Sequence, residues 1–572
     1  MTAASSAKRP LVAIALLSLG LNLWGIDWGL PQRWHPDEIV GRAEQMFGDR
    51  TLNHRYFAYG ALHYYEVMAG AILPVRVAQK LIGRFNTTFE DALVTLLARL
   101  LSVLLAVGIV VCVSLIGTTL FSQRAGFWGA LFLALSMGVV NLAHFATTEI
   151  PSVFWFTLSC LMSAYALRRR ALRWYLLAGL CAGLSAAVKY IGGLSLLPLV
   201  AAHALADERR PWRWLLGGVA MSGVGFLIGN PVTLLAFPEF LEGFVKEGAY
   251  NTARGEGRVP RAFAPLITHR LVQALGLPLC LFSLAGLAYS LWLARARGHR
   301  AAVALVWAMA LPHYLVMGMQ YEQTMRYIVP IVPALLVLAG KLAADWLAAR
   351  TRWIRAAAGG VMAAVLGYSS LYTIAADLSF TRDSRYLARE WVLRHVPEGA
   401  SIEMTAYGPE LPRGRYRVAQ RPINRSPEAA AEANVVKQKP LYRAMQRWLS
   451  TLSPKTAGPS ADGNREGYTT WYEREIRKSH EAVQTFDLGL RGLEERRPDY
   501  LIISRLYTLP LLKKAGPADP ERQLVEALLA GRTPYQQVAK FRYRLLPGVE
   551  PVAEFVNGTV TVFAHAGAPR ND

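Results

Sequence analysis

The chain has 572 residues, 53% hydrophobic and only 18% charged, a balance too apolar for a soluble enzyme of this length. Its 62 Lys and Arg against 40 Asp and Glu leave a formal charge of +22, which in a soluble protein would suggest nucleic acid. Here the excess sits in short arginine clusters between apolar runs, the positive-inside signature of a membrane protein, so no nucleic-acid partner is expected.

The first apolar run, about Leu11 to Leu30, follows Lys8-Arg9 and suits one bilayer crossing. Its end, Gly25-Ile26-Asp27-Trp28-Gly29-Leu30-Pro31, is not a small-x-small cleavage site, so the run is read as an uncleaved first helix. Trp34-His35-Pro36-Asp37-Glu38 comes next, where the chain leaves the membrane. Acidic residues at a membrane face are costly to place and generally functional. A second reading is local: Pro36 suits the first turn of a helix, and Asp37 and Glu38 would favour its positive end.

Residues 31–97 are expected to form the first outer loop with juxtamembrane helices. The aromatic cluster Tyr56-Phe57-Ala58-Tyr59-Gly60-Ala61-Leu62-His63-Tyr64-Tyr65 fits an interfacial belt or a sugar-stacking surface. Gly60 to Ile82 is apolar enough to be a helix. Counting it as a crossing would invert every later arginine cluster, so it is placed on the outer face as a juxtamembrane or re-entrant segment.

Further crossings are predicted near Arg99–Leu120, Gly126–Leu142, Pro151–Leu167, Trp174–Ala187, Ile191–Leu205 and Trp214–Gly229, then Leu271–Leu293, Ala301–Met319, Tyr327–Leu347 and Ala356–Ile374. The fold class is thus an α-helical polytopic membrane protein with about eleven transmembrane helices. With Lys8-Arg9 inside, Asp37, Glu149 and Arg326 share the outer face. All four cysteines lie in or beside apolar runs, so no disulfide framework is indicated in the remainder.

In the second outer loop, His144-Phe-Ala-Thr-Thr-Glu149-Ile-Pro151 offers either a helix-start signal or a second carboxylate facing the first. Lys189 and Arg326 are the basic candidates at helix ends: Lys189 can snorkel to the interface, and Arg326 either anchors its helix or grips an anionic lipid head group. No histidine spacing matches a fixed metal motif, so no metal ligands are assigned. No phosphate-cradling Gly-x-x-x-x-Gly-Lys-Ser/Thr loop and no Gly-x-Ser-x-Gly elbow is present.

Beyond about Ile374 the apolar runs stop. Residues 1–375 are read as the membrane domain and 376–572 as a C-terminal α/β domain on the extracytoplasmic side, long enough to bury a core. Ser384–His395 has a helical pattern, Ser401–Thr405, Tyr500–Ser504 and Thr559–Ala564 read as strands, and about Pro454 to Gly467 as a loop.

These motifs resemble the GT-C class of membrane glycosyltransferases. The carriers are His35-Pro36-Asp37-Glu38, Tyr56-Phe57-x-Tyr59-Gly60-x-Leu62, His144-x-x-Thr147-Thr148-Glu149-x-Pro151, Lys189-Tyr190, Gly229-Asn230-Pro231 and Arg326-Tyr-Ile-Val-Pro-Ile-Val-Pro333. Over about residues 10–375 the chain is most similar to the bacterial relatives of protein O-mannosyltransferases and lipid A aminoarabinose transferases, glycosyltransferase family 39 and its neighbours. The resemblance implies an inner-membrane enzyme that takes a sugar from a polyprenyl-phosphate donor on the outer side. It implies Asp37 as the catalytic carboxylate and Glu149 as the second acidic position, commonly Asp in that family. His35, Glu38, Tyr59, His63, His144, Lys189 and Arg326 are expected to hold substrate. The expected partners are that donor, a lipid, glycan or protein acceptor, and membrane lipids; no cofactor is assigned, and a divalent-cation requirement stays open. Two rival readings are a lipid or glycolipid transporter or flippase, whose site would lie nearer the bilayer midplane, and a non-catalytic scaffold that would tolerate Asp37→Asn.

Overall fold

The computed structural model describes residues 2–206, 208–241, 243–244, 263–320, 324–412, 414–421, 487–547 and 549–569. The chain divides into two compact units, Met1–Asp377 with Val549–Val552, and Leu378–Gly548 with Ala553–Asp572.

The first unit is built from helices. They are α1 (Thr2–Leu23), α2 (Val40–Gly48), α3 (Leu62–Val67), α4 (Leu73–Ile82), α5 (Thr87–Leu120), α6 (Gln123–Ala134), α7 (Met137–Ala143) and α8 (Glu149–Arg168), then α9 (Leu172–Val188), α10 (Leu196–Ala204), α11 (Trp212–Gly229), α12 (Leu277–Leu293), α13 (Arg297–Gly318), α14 (Val332–Leu347) and α15 (Arg352–Thr381). Asn86 starts α5 by accepting the Thr88 N–H, and Ser122 starts α6 by accepting that of Ala125. Val113, Leu133, Leu336 and Val337 are among the fully buried side chains of the main core, which draws on α5, α6, α8 and α14.

Six helical stretches are long and apolar enough to cross a membrane among the described residues: Thr87–Leu120, Glu149–Arg168, Trp212–Gly229, Arg297–Gly318, Met325–Leu347 and Arg352–His395. The pair α6 and α7, bent by 58°, makes a seventh if it is one span. Arg9–Leu23, Leu172–Val188, Tyr190–Ala204 and Leu277–Leu293 are apolar but shorter. Gly60–Ile82 is not among the spans; it runs as α3, a π turn (Met68–Ile72) and α4. Tyr64, Val67, Ile72 and Val75 of this stretch pack with Val40 and Met46 of α2 against Val94 and Ala98 of α5.

Close helix approach depends on small residues. A Cβ at Gly179 or Gly183 of α9 would collide with the carbonyls of Gly218 or Ser222 in α11. This contact ends where α9 breaks at Lys189, after which a 3₁₀ turn (Tyr190–Ser195) leads into α10.

The second unit carries a five-stranded sheet of β1 (Ser401–Met404), β2 (Arg417–Gln420), β3 (Tyr500–Ser504), β4 (Tyr535–Phe541) and β5 (Val560–His565), in the order β2-β1-β3-β5-β4. β1 is parallel to β2 and β3; β5 is antiparallel to β3 and β4. Helix α16 (Ser384–His395) covers one face, with Ala388 and Val392 against Ile402, Ile502 and Val562. α17 (Leu490–Arg496) and α19 (Pro520–Leu529) cover the other, with Leu493, Leu524 and Leu528 against Leu501, Ile503 and Phe563; α18 (Arg505–Lys514) follows β3. Burial on both faces explains why β3 reads as a continuous apolar run rather than an alternation. The loop expected over Pro454–Gly467 lies outside the described residues.

Candidate active site

The His35–Glu38 turn is fastened from below. Arg99, fully buried in α5, donates from Nε to Glu38 Oε1 (2.7 Å) and from Nη2 to Oε2 (3.0 Å). Its Nη1 donates to the carbonyls of Ile26 (2.8 Å) and Trp28 (2.7 Å). Glu38 Oε1 also accepts the Ala146 N–H (3.1 Å), and the Ile39 N–H donates to the Ala146 carbonyl (3.1 Å). One carboxylate therefore ties the first loop to α5 and to the loop before α8. Burial pushes the Glu38 carboxyl up, but the charge and paired bonds of Arg99 outweigh it and hold it below the usual range.

Neither Asp37 nor Glu38 caps a helix: α2 starts two residues later at Val40, with Ile39 as its cap residue. The local reading of these carboxylates as a helix start is thereby corrected. His35 Nδ1 accepts the Asp37 N–H (3.2 Å), so this nitrogen carries no proton. Burial pushes the imidazole down to about 4 despite the nearby carboxylates. His35 is a neutral ring, packed 4.1 Å from Phe145, that sets the backbone under Asp37.

Held this way, the Asp37 side chain stays 39% exposed, with Oδ2 2.6 Å from Arg326 Nη1. Arg326 lies in a 3₁₀ turn (Met325–Tyr327) ahead of α14, and its Nη1 is also 3.9 Å from Glu149 Oε1. Glu149, the first residue of α8 and only 5% exposed, accepts from Lys189 Nζ at 2.7 Å. Asp37, Arg326, Glu149 and Lys189 thus form one chain of alternating charge. It is assembled from four segments spread over some 290 residues, 37 to 326.

Tyr59 closes one side, its ring centroid 5.1 Å from Lys189 Nζ. Gly60 makes this approach feasible: its N–H donates to the Val188 carbonyl (3.1 Å), and a Cβ there would strike the backbone of Ala187. Tyr190 OH donates to the carbonyls of Phe57 and Tyr59 (3.0 Å each), and His54 Nε2 lies 3.1 Å from the latter. Burial and the Glu149 carboxylate both raise the Tyr59 phenol, so it remains a neutral donor.

The other expected substrate residues are engaged elsewhere. His144 is buried, with Nδ1 2.7 Å from the Val140 carbonyl and Nε2 3.0 Å from that of Trp24. His63 is buried against Glu66 (2.8 Å), whose other oxygen accepts from Trp155 Nε1 (3.1 Å). Among the described residues, no three His, Cys, Asp or Glu side chains converge as metal ligands. Sequence reading missed Arg99, taken there only as the start of a crossing. A charged residue inside an apolar run, needing a buried partner, was the available signal.

Residues 87–212 match the family model described as dolichyl-phosphate-mannose-protein mannosyltransferase. The comparison with curated proteins found no match. Among solved structures, the apo oligosaccharyltransferase of Archaeoglobus fulgidus is 14% identical, with 96% of this chain and 75% of that one covered and a TM-score of 0.50. ArnT of Cupriavidus metallidurans bound to undecaprenyl phosphate is 17% identical, with 98% of each chain covered and a TM-score of 0.48. The Archaeoglobus oligosaccharyltransferase AglB, in complex with an inhibitory peptide and a dolichol-phosphate, is 13% identical, covering 98% and 88% with a TM-score of 0.48. In the matched segment and in its fold, this chain is similar to the GT-C class of membrane glycosyltransferases.

Proposed function

We propose that the chain is an inverting glycosyltransferase, moving a sugar from a polyprenyl-phosphate donor to an acceptor hydroxyl at the extracytoplasmic face of the inner membrane. The observation that carries this reading is the Asp37–Arg326–Glu149–Lys189 chain. Two cations held next to two carboxylates suit an anionic leaving group and a hydroxyl that must lose its proton. The lipid-phosphate class of the donor is supported by the family description of residues 87–212.

In the proposed step, the acceptor oxygen attacks the anomeric carbon as the bond from that carbon to the phosphate oxygen breaks. The electron pair leaves on the phosphate, stabilised by Arg326 and Lys189, and the hydroxyl proton passes to Asp37. Glu149 holds Lys189 and offsets charge between transfers. A good leaving group is already on the donor, so no nucleotide is consumed.

The resting contact between Arg326 and Asp37 gives the donor a second role. A phosphate arriving at Arg326 competes with Asp37 for the guanidinium and so leaves the carboxylate free to act as base. Glu38, with both oxygens engaged by Arg99, acts as a positioning residue rather than a contact to substrate. The test is incubation of purified protein with a panel of polyprenyl-phosphate sugars and membrane-extract acceptors, reading free polyprenyl phosphate and the anomeric configuration of the product. Release of polyprenyl phosphate with inverted product is expected; a retained configuration would overturn single displacement.

A further inference from the structure

Away from these residues, a cavity of about 460 Å³ lies along α12 and α13. We infer that it is a binding groove for one anionic phospholipid, with an acyl chain along α13 and the head group at Arg300.

The groove follows from the sequence of α13. Ala304 and Ala308, one turn apart, leave a furrow where larger side chains would fill the surface. Pro312, inside the helix, has no N–H to return to the Ala308 carbonyl, which loosens the turn forming the inner end. Trp307 forms a fixed wall: its Nε1 donates to Ser290 Oγ (3.0 Å), and that hydroxyl donates to the Leu287 carbonyl (2.6 Å). Leu291 and Leu311, both exposed, line the flanks in an apolar setting.

Length and charge select the occupant. Arg300 lies at one end and Pro312 at the other, about 18 Å apart at 1.5 Å per helical residue. That is close to one leaflet of a hydrocarbon core, roughly 15 Å. Arg295, Arg297 and Arg300 are all exposed at the same end. Asp345, which acts on His299 at this end, is bonded to Lys341 Nζ (2.7 Å) and Tyr289 OH (2.7 Å) and forms no ion pair with these arginines among the described residues. Basic pockets between transmembrane helices suit anionic head groups, and a zwitterionic lipid would add a positive charge beside three arginines.

The test is native mass spectrometry of the delipidated full-length protein titrated with phosphatidylglycerol, phosphatidylcholine or polyprenyl phosphate. One phosphatidylglycerol per chain, retained at least tenfold better than phosphatidylcholine, is expected. Arg300→Gln and Ala304→Phe should each remove that preference. Equal retention of the two phospholipids, or unchanged retention in both variants, would overturn the site. Polyprenyl phosphate lost from Arg300→Gln as strongly as phosphatidylglycerol would overturn the phospholipid assignment. Should a variant fail to fold, quenching by brominated phosphatidylglycerol decides in otherwise unaltered protein: the quenching lost in Trp307→Phe reports the groove, and no difference between the two refutes it.

Discussion

Asp37→Asn separates binding from chemistry. The variant keeps the side-chain shape but cannot accept the acceptor proton, and it loses the ion pair with Arg326. That pair is 39% exposed at Asp37, so it is worth at most about 1 kcal/mol. Removing it lets Arg326 meet the donor phosphate up to about fivefold more tightly. General-base catalysis contributes about 10²–10⁴-fold, or roughly 2.7–5.4 kcal/mol of barrier. Polyprenyl-phosphate affinity should therefore hold or improve slightly while transfer falls at least a hundredfold. The assay pairs equilibrium binding of polyprenyl phosphate with single-turnover release of that lipid from a saturating donor. Transfer within tenfold of wild type would refute Asp37 as base and move the search to Glu149. A loss confined to affinity would refute the competition between Asp37 and phosphate for Arg326.

Lys189→Met leaves Glu149, 5% exposed, with the more distant Arg326 at 3.9 Å as its remaining ion-pair partner among the described residues. A loss of about 3 kcal/mol in stability is expected, together with a tenfold or larger loss of polyprenyl-phosphate affinity. Adding Glu149→Gln should recover the melting temperature in detergent without recovering binding, and recovery of both would argue against a phosphate role for Lys189. Glu38→Gln strands the buried Arg99 guanidinium and should cost about 3–5 kcal/mol; an unchanged melting temperature would contradict its anchoring role. His35 and His54 are both held down to about 4 by burial, below their unfolded value near 6.5. Between those values the unfolded chain binds more protons, so stability is complete above about pH 6.5 and falls on acidification at about 1.4 kcal/mol per pH unit for each ring. Melts between pH 7 and 5 should show such a slope, smaller in His35→Asn by that one ring's share of about 1.4 kcal/mol per pH unit; a flat profile would contradict it.

Much of the architecture was legible because hydropathy and charge act over short stretches. Apolar runs with arginines between them marked the helices around Arg99–Leu120, Pro151–Leu167 and Ala301–Met319, which the structure extends by a few turns or residues. The amphipathic pattern of Ser384–His395 was enough to locate α16, and the apolar runs at Tyr500–Ser504 and Thr559–Ala564 to locate β3 and β5. The strand Arg417–Gln420 carried no such signal, because all four of its residues are exposed. Crossing count was less legible: α9 and α10 are short and interrupted at Lys189, so length alone does not qualify them.

By itself the sequence determined that this is a helical membrane protein with a distinct sheet-bearing region, and it marked out Asp37, Glu149, Lys189 and Arg326. It could not decide what those residues meet, since each has a local explanation as a cap, an anchor or a snorkelling side chain. Tertiary packing decided that. It set Asp37 against Arg326 and Glu149 against Lys189, consumed Glu38 in a buried pair with Arg99, and turned His63 and His144 toward other partners. The physical reason is range: propensity and hydropathy are properties of neighbours in the chain, whereas a charge pair across 289 residues exists only once the helices carrying it have packed.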